Sequence, residues 1–138
     1  LYPANRIYCN PSHSPWLHFA KLLRRELGYP IGLIPASLGG SPLAAWHRKT
    51  DGYLFDNMLN YVRAAGGSHG VAWYQGESDT GVEQRHSYVE RFGEFVADLR
   101  KSLKRKDLPV ITVQLNRCIA LGPDDAEAHR LSAVQCPL

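Results

Sequence analysis

Along this chain, stretches whose apolar residues recur every three or four positions alternate with short unbroken apolar runs. The first periodic stretch carries Trp16, Phe19, Leu23 and Leu27 on one face. Ser14 stands where a hydroxyl can cap its first turn, and Gly28 followed by Tyr29 and Pro30 ends it. The second spans about 51–65, with Leu54, Met58, Tyr61, Val62 and Ala65 in register and Gly66-Gly67 as its stop. The third and longest, 82–104, places Val89, Phe92, Val96, Leu99 and Leu103 on one stripe. Between them, 31–35, 70–74 and 109–115 have the length and composition of buried strands. A further helix begins over 126–135.

Helix and strand in alternation predict an α/β domain: three parallel strands side by side in one sheet, with helices on both faces. Composition agrees, since 138 residues with 44% hydrophobic and 21% charged side chains suit one globular domain. Three strands are few for a doubly wound sheet, so the pattern is expected to be a fragment of a larger fold.

The net charge of +3 invites a polyanion partner, but the distribution argues otherwise. Arg24 and Arg25 fall at one helix end, and Arg100, Lys101, Lys104, Arg105 and Lys106 at another, where cations meet the negative end of the helix dipole. They are not interleaved with aromatics along one face, so no nucleic-acid partner is expected. Cys9, Cys118 and Cys136 lack metal-ligand spacing, and no apolar run reaches membrane-span length, so neither a metal nor a membrane is expected. The compartment and the oligomeric state are left open.

Two polar clusters follow strand ends, where ligands bind open parallel sheets. Gly39-Gly40, between Leu38 and Ser41, offers backbone N–H groups that no side chain shields, as a developing oxyanion requires; the same pair also suits a plain tight turn. After Tyr74, the side chains of Gln75, Glu77, Ser78 and Asp79 crowd into five positions around Gly76. A carboxylate there can hold a neighbouring donor in place, and the Gln75 amide can donate to a substrate oxygen; a helix cap by Ser78 or Asp79 is the structural alternative. Both clusters are expected to share one edge of the sheet. His13, His18, His47, His69 and His86 show no metal or triad spacing and are expected at the surface or in ordinary hydrogen bonds.

These segments resemble a known family. Residues 31–41 followed by Trp46, then Gly70-Val71-Ala72-Trp73-Tyr74-Gln75-Gly76-Glu77-Ser78-Asp79, are similar to the conserved blocks of sialate O-acetylesterases, in the SGNH hydrolase superfamily. Leu108-Pro109 through Val113-Gln114-Leu115, and more weakly 130–135, resemble later blocks in the same order. The resemblance implies a three-layer α/β/α sandwich of flavodoxin-like type and a serine esterase without cofactor, removing acetyl groups from sialic acids or from polysaccharides such as acetylxylan.

By position, the resemblance makes Gly40 an oxyanion donor and sets Gln75 and Glu77 at the acyl site, with Gly39, Gly76 and Ser78 lining the substrate. Where the wider superfamily carries an Asn donor this chain has Ser78, so the side chain completing the oxyanion hole is undetermined. No G-Q-S nucleophile block precedes Ile31, and Asp125 and His129 are spaced D-x-x-x-H instead of the family's D-x-x-H. The chain by itself is therefore expected to be inactive. Two alternatives stand: an inactive carbohydrate-binding or interaction domain that uses Trp46, Trp73 or Tyr74 to stack on sugars, and an esterase with Ser78 as nucleophile.

Overall fold

The computed structural model describes residues 14–115. Helix α1, Pro15–Leu27, starts where expected: Ser14 is extended, its hydroxyl accepts from the Trp16 N–H, and proline occupies the first helical position, where no N–H is needed. Gly28 closes it, donating to the Arg24 carbonyl. Helix α2, Tyr53–Ala64, buries Leu54, Phe55, Met58, Leu59 and Val62. Phe55 and Leu59 widen the stripe read from sequence, whereas Ala65 lies outside the helix. Gly52, which caps α2, has φ +67°, and a Cβ there would stand 2.9 Å from the Arg48 backbone, so no other residue fits without displacing the chain.

Among the described residues two strands form, β1 (Val71–Trp73) and β2 (Val110–Thr112), parallel and in the register Val71–Val110, Ala72–Ile111, Trp73–Thr112. Hydrogen bonds from Val71 N to Pro109 O and from Val113 N to Trp73 O extend the ladder at both ends. The run 31–35 is not a strand, which corrects the sequence expectation. Pro30 and Pro35 lack the N–H that a ladder needs. The hydrophobic pattern nevertheless acts: Ile34, Ala36 and Leu38 lie against the core at every second position, while Leu33, Pro35 and Ser37 face outward.

The connection from β1 to β2 carries a 3-10 turn, Glu77–Asp79, then α3 (Val82–His86) and α4 (Tyr88–Leu103). Sequence periodicity joined α3 and α4 into one helix; Ser87 separates them. Its hydroxyl donates back to the Glu83 and Gln84 carbonyls, and Arg91 donates to the Gln84 carbonyl, satisfying the open end of α3 locally. The buried face of α4 keeps Phe92, Val96, Leu99 and Leu103 of the expected stripe and adds Tyr88 and the buried Phe95, while Val89 is exposed. At the far end of α4, Arg100 donates to the Leu108 carbonyl from both Nε and a terminal nitrogen.

The core is aromatic at its centre. Trp73 of β1 meets Trp46 edge to face at 5.6 Å and Phe95 at 4.6 Å, and Phe95 in turn meets Phe55 edge to face at 5.7 Å. Trp46 arrives on a second 3-10 turn, Leu43–Trp46, which packs on α2 and α4. Val71, Trp73 and Val110 point into this core, while Ala72, Tyr74, Ile111 and Val113, on the other side of the sheet, are exposed. Among the described residues, helices thus cover one face of the sheet. Helix α1 contributes nothing to the central cluster, and Leu17, Leu22 and Leu27 remain exposed on it. The segment 126–135, the three cysteines, His13, Asp125 and His129 lie outside the described residues.

Candidate functional site

The two polar clusters meet at the carboxyl end of β1. Leu38 to Ser41 form a tight turn, closed by Ser41 N donating to the Leu38 carbonyl at 3.3 Å. Gly40, at its third position with φ +71°, takes the left-handed conformation a type II turn demands. Both glycines are exposed, and their N–H groups are uncommitted among the described residues. The base of the turn is fixed from below: the buried Ser41 hydroxyl donates to the Leu38 carbonyl at 2.7 Å and accepts from Trp46 Nε1 at 2.9 Å.

Across from this turn lies the loop after β1. Ser78 Oγ donates to the Gly40 carbonyl at 3.0 Å, and Gln75 Nε2 donates to the Ser41 carbonyl at 3.1 Å. The second hydrogen of the same amide goes to Asp79 Oδ2 at 2.7 Å. Gln75 Oε1 accepts from the Tyr88 hydroxyl at 2.8 Å, and Tyr88 itself accepts from Trp73 Nε1 at 3.3 Å. A flipped amide would set its oxygen against a carboxylate and a carbonyl, so these partners fix its orientation. Burial pushes the Tyr88 hydroxyl up to about 12, opposed by its hydrogen bond with Trp73, so it stays protonated and donates throughout the neutral range.

Asp79, named in the polar cluster read from sequence but given no role at the acyl site, joins the two segments. Only 2% exposed, it accepts from Leu43 N and Gln75 Nε2 on one oxygen, both at 2.7 Å, and from an Arg91 terminal nitrogen on the other at 3.2 Å. A carboxylate out of water needs such partners. It does not cap its own segment; Gly76 precedes the 3-10 turn Glu77–Asp79, and neither Ser78 nor Asp79 makes a side-chain cap there. Its signal was present in the crowding of carboxylates after Tyr74, but sequence could not tell which of Glu77 and Asp79 turns inward. Glu77 turns outward: it is exposed, and among the described residues its carboxylate has no hydrogen-bond partner. Gly76 is buried beneath it.

The histidines sit apart from this cluster. His18, His69 and His86 are exposed, and no histidine among the described residues hydrogen-bonds Ser78. His47 is buried after the Leu43–Trp46 turn, and its Nε2 is 2.8 Å from Glu94 Oε2 on α4. Lys49 bonds the other oxygen of Glu94 and, more than any other cause, holds that carboxyl below its ordinary range, with His47 adding to the effect against partial burial. The ionised Glu94 is an acceptor, so His47 donates from Nε2; its Nδ1 is buried without a partner among the described residues. Of the aromatic residues singled out for sugar stacking, Trp46 and Trp73 are core, whereas Tyr74 is 50% exposed.

Comparison with known proteins places the chain among similar sequences and folds. A solved X-ray structure of an Arabidopsis thaliana protein superposes with a TM-score of 0.73 at 29% identity, covering 91% of this chain and 52% of that one. A probable carbohydrate esterase of Arabidopsis thaliana is 31% identical over 109 residues, 73% of this chain and 41% of the relative. Both comparisons reach the same Arabidopsis protein, and the chain spans about half its length or less. The family model described as carbohydrate esterase, sialic acid-specific acetylesterase, matches residues 8–136. With nearly its whole length matched in this way, the chain belongs to that carbohydrate esterase family.

Proposed function

We propose that this chain supplies the oxyanion-stabilising side of a carbohydrate O-acetylesterase, within a three-layer α/β/α sandwich of the SGNH hydrolase type. The observation that carries this reading is the junction of the Gly39-Gly40 turn with the loop Gln75-Gly76-Glu77-Ser78-Asp79 at the carboxyl end of β1. Backbone donors lie exposed at the tip of a turn whose base is held by buried bonds, which suits electrostatic stabilisation of developing charge. The open apolar face of the sheet, Ala72, Tyr74, Ile111 and Val113, suits a second helical layer.

In this reading Gly40 donates its N–H to the acyl oxygen of the acetyl ester as the tetrahedral intermediate forms. Gln75 borders the same oxygen; its hydrogen on the Ser41 carbonyl is the one available for exchange onto it. Glu77, whose exposed carboxylate has no hydrogen-bond partner among the described residues, faces substrate together with Gly39, Gly76 and Ser78. This chain carries neither the family's nucleophile block nor its Asp-His block, so both come from a longer polypeptide. The substrate is an acetylated sialic acid or an acetylated polysaccharide such as acetylxylan.

The alternative with Ser78 as nucleophile finds no support in its surroundings, because the hydroxyl gives its proton to a carbonyl and no histidine hydrogen-bonds it among the described residues. A stacking platform for sugar binding alone would rest on Tyr74, with both tryptophans inside the core.

The test is hydrolysis of 4-nitrophenyl acetate and of acetylated sugars, by the 138-residue chain and by a polypeptide of full family length containing it. The long polypeptide is expected to release acetate and the short chain essentially none, since acyl transfer needs an activated nucleophile. Turnover by the short chain that disappears in Ser78→Ala would overturn the assignment, as would a long polypeptide that binds acetylated sugar without cleaving it.

A further inference from the structure

We infer that Asp79 is a positioning residue for the oxyanion side of this site, fixing which way the Gln75 amide points and how the Gly39-Gly40 turn sits against it. The inference rests on the esterase reading above. Three of its observations are geometric. Two bonds of 2.7 Å, among the shortest in the network, both end on Asp79 Oδ2: one comes from Gln75 after β1, the other from Leu43 N, two residues beyond the turn. Hydrogen bonds to an ionised acceptor are roughly twice as strong as neutral ones, so of the two amide hydrogens of Gln75 the one on Asp79 is the anchor. The other, at 3.1 Å on the neutral Ser41 carbonyl, is the one a ligand oxygen can draw away without turning the amide.

The charge is held in turn. Arg91 reaches Asp79 Oδ1 at 3.2 Å and is itself fixed by Ser87 Oγ and the Gln84 carbonyl, so the break between α3 and α4 sets the angle at which it approaches. Were Asp79 present only to balance Arg91, the contacts to Leu43 N and Gln75 would be unnecessary. Were it only a loop latch, a neutral acceptor would serve. A carboxylate does what neither requires: it repels the amide oxygen and so selects one of the two orientations of Gln75. Preorganised donors stabilise a transition state because they need not reorient when charge develops.

The experiment has two parts. In the 138-residue chain labelled with nitrogen-15, one Gln75 carboxamide proton is expected well downfield of ordinary glutamine and slow to exchange. Asp79→Asn should abolish that shift and move the Gly40 and Ser41 amides, leaving the β1 and β2 amides in place. Asp79→Glu should restore the ion pair with Arg91 and not the Gln75 signal, and Tyr88→Phe should keep the signal. In the polypeptide of full family length, Asp79→Asn should lower kcat about 10²-fold, the scale of a small misplacement of a reacting group, with KM unchanged.

An unshifted Gln75 signal in the wild-type chain, a signal retained in Asp79→Asn or restored by Asp79→Glu, or one lost in Tyr88→Phe, would each overturn the inference; the last keeps it testable if neither Asp79 variant folds. An unchanged kcat in Asp79→Asn would overturn it too, leaving the esterase reading intact. Absence of all turnover in the wild-type polypeptide refutes the esterase reading instead, because the carboxamide signal is read without any ester.

Discussion

Ser41→Ala removes one oxygen from beneath the candidate site, and its cost can be worked from the contacts. The hydroxyl joins the Leu38 carbonyl to the indole N–H of Trp46, and Ser41 and Trp46 are 8% and 4% exposed. Without it, the indole N–H has no acceptor and no access to water, an omission that costs about 1–3 kcal/mol. The Leu38 carbonyl keeps the Ser41 N–H, so the loss on that side is that of an ordinary hydrogen bond, about 0.5–1.5 kcal/mol. A total of roughly 2.5 kcal/mol follows, which for a chain of this length lowers the melting temperature by about 10 °C. Urea unfolding followed by backbone circular dichroism measures it, and Trp46→Phe supplies the control. Once the donor is gone, Ser41→Ala should cost only about 1 kcal/mol, leaving a coupling of about 1.5 kcal/mol. A loss below about 0.5 kcal/mol, or equal losses in the two backgrounds, would refute the reasoning.

Gly40→Val should destabilise the chain by about 1–2 kcal/mol through its left-handed φ alone, since a Cβ there meets nothing within 4 Å, and Gly40→Asn should cost less; denaturant midpoints decide it. Tyr88 has a folded pKa raised from 10.0 to about 12, so its contribution is whole below pH 10 and is lost as pH rises toward 12. The loss should be about 1–2 kcal/mol for this part-buried group, and Tyr88→Phe should flatten the alkaline limb of the stability curve. Glu94 has the opposite sign: its depressed pKa gives stability that is present above its ordinary value of 4.5 and fades as pH falls below it. Lys49→Met should make that acid limb shallower in thermal melts, and an unchanged slope would remove Lys49 as the main cause.

Where single residues decide structure without outside help, the sequence was legible. Ser14 and Gly28 bound α1 as their chemistry requires, and the apolar runs around Ala72 and Ile111 became parallel partners. Apolar spacing was a poorer guide on α4, because Val89 and Tyr88 sit one position apart and only the hydroxyl's partners, Trp73 and Gln75, make Tyr88 the inward one. The split at Ser87 was hidden for a related reason: a serine inside an amphipathic pattern breaks a helix only when its hydroxyl turns back on the chain. The run 31–35 had strand composition, yet a strand also needs a neighbour and N–H groups, and its flanking prolines supply none. At the site, the two clusters were visible as polar residues after apolar runs. The choice between Glu77 and Asp79 was not, since it depends on Arg91, Leu43 and Gln75 converging from elsewhere.

The edge-to-face contact of Trp46 and Trp73 gives this fold an optical signature of its own. Two indoles with centroids 5.6 Å apart and planes at 86° couple their transition dipoles, and such a pair produces a split ellipticity band in the far ultraviolet that neither chromophore shows alone. Trp46 rides on the turn that follows Gly39-Gly40, and Trp73 on the strand that leads into Gln75. The sign and depth of that couplet therefore report the separation of the two halves of the site, without any label. Trp16, far from both in sequence and outside the central cluster, contributes an independent signal against which it can be read.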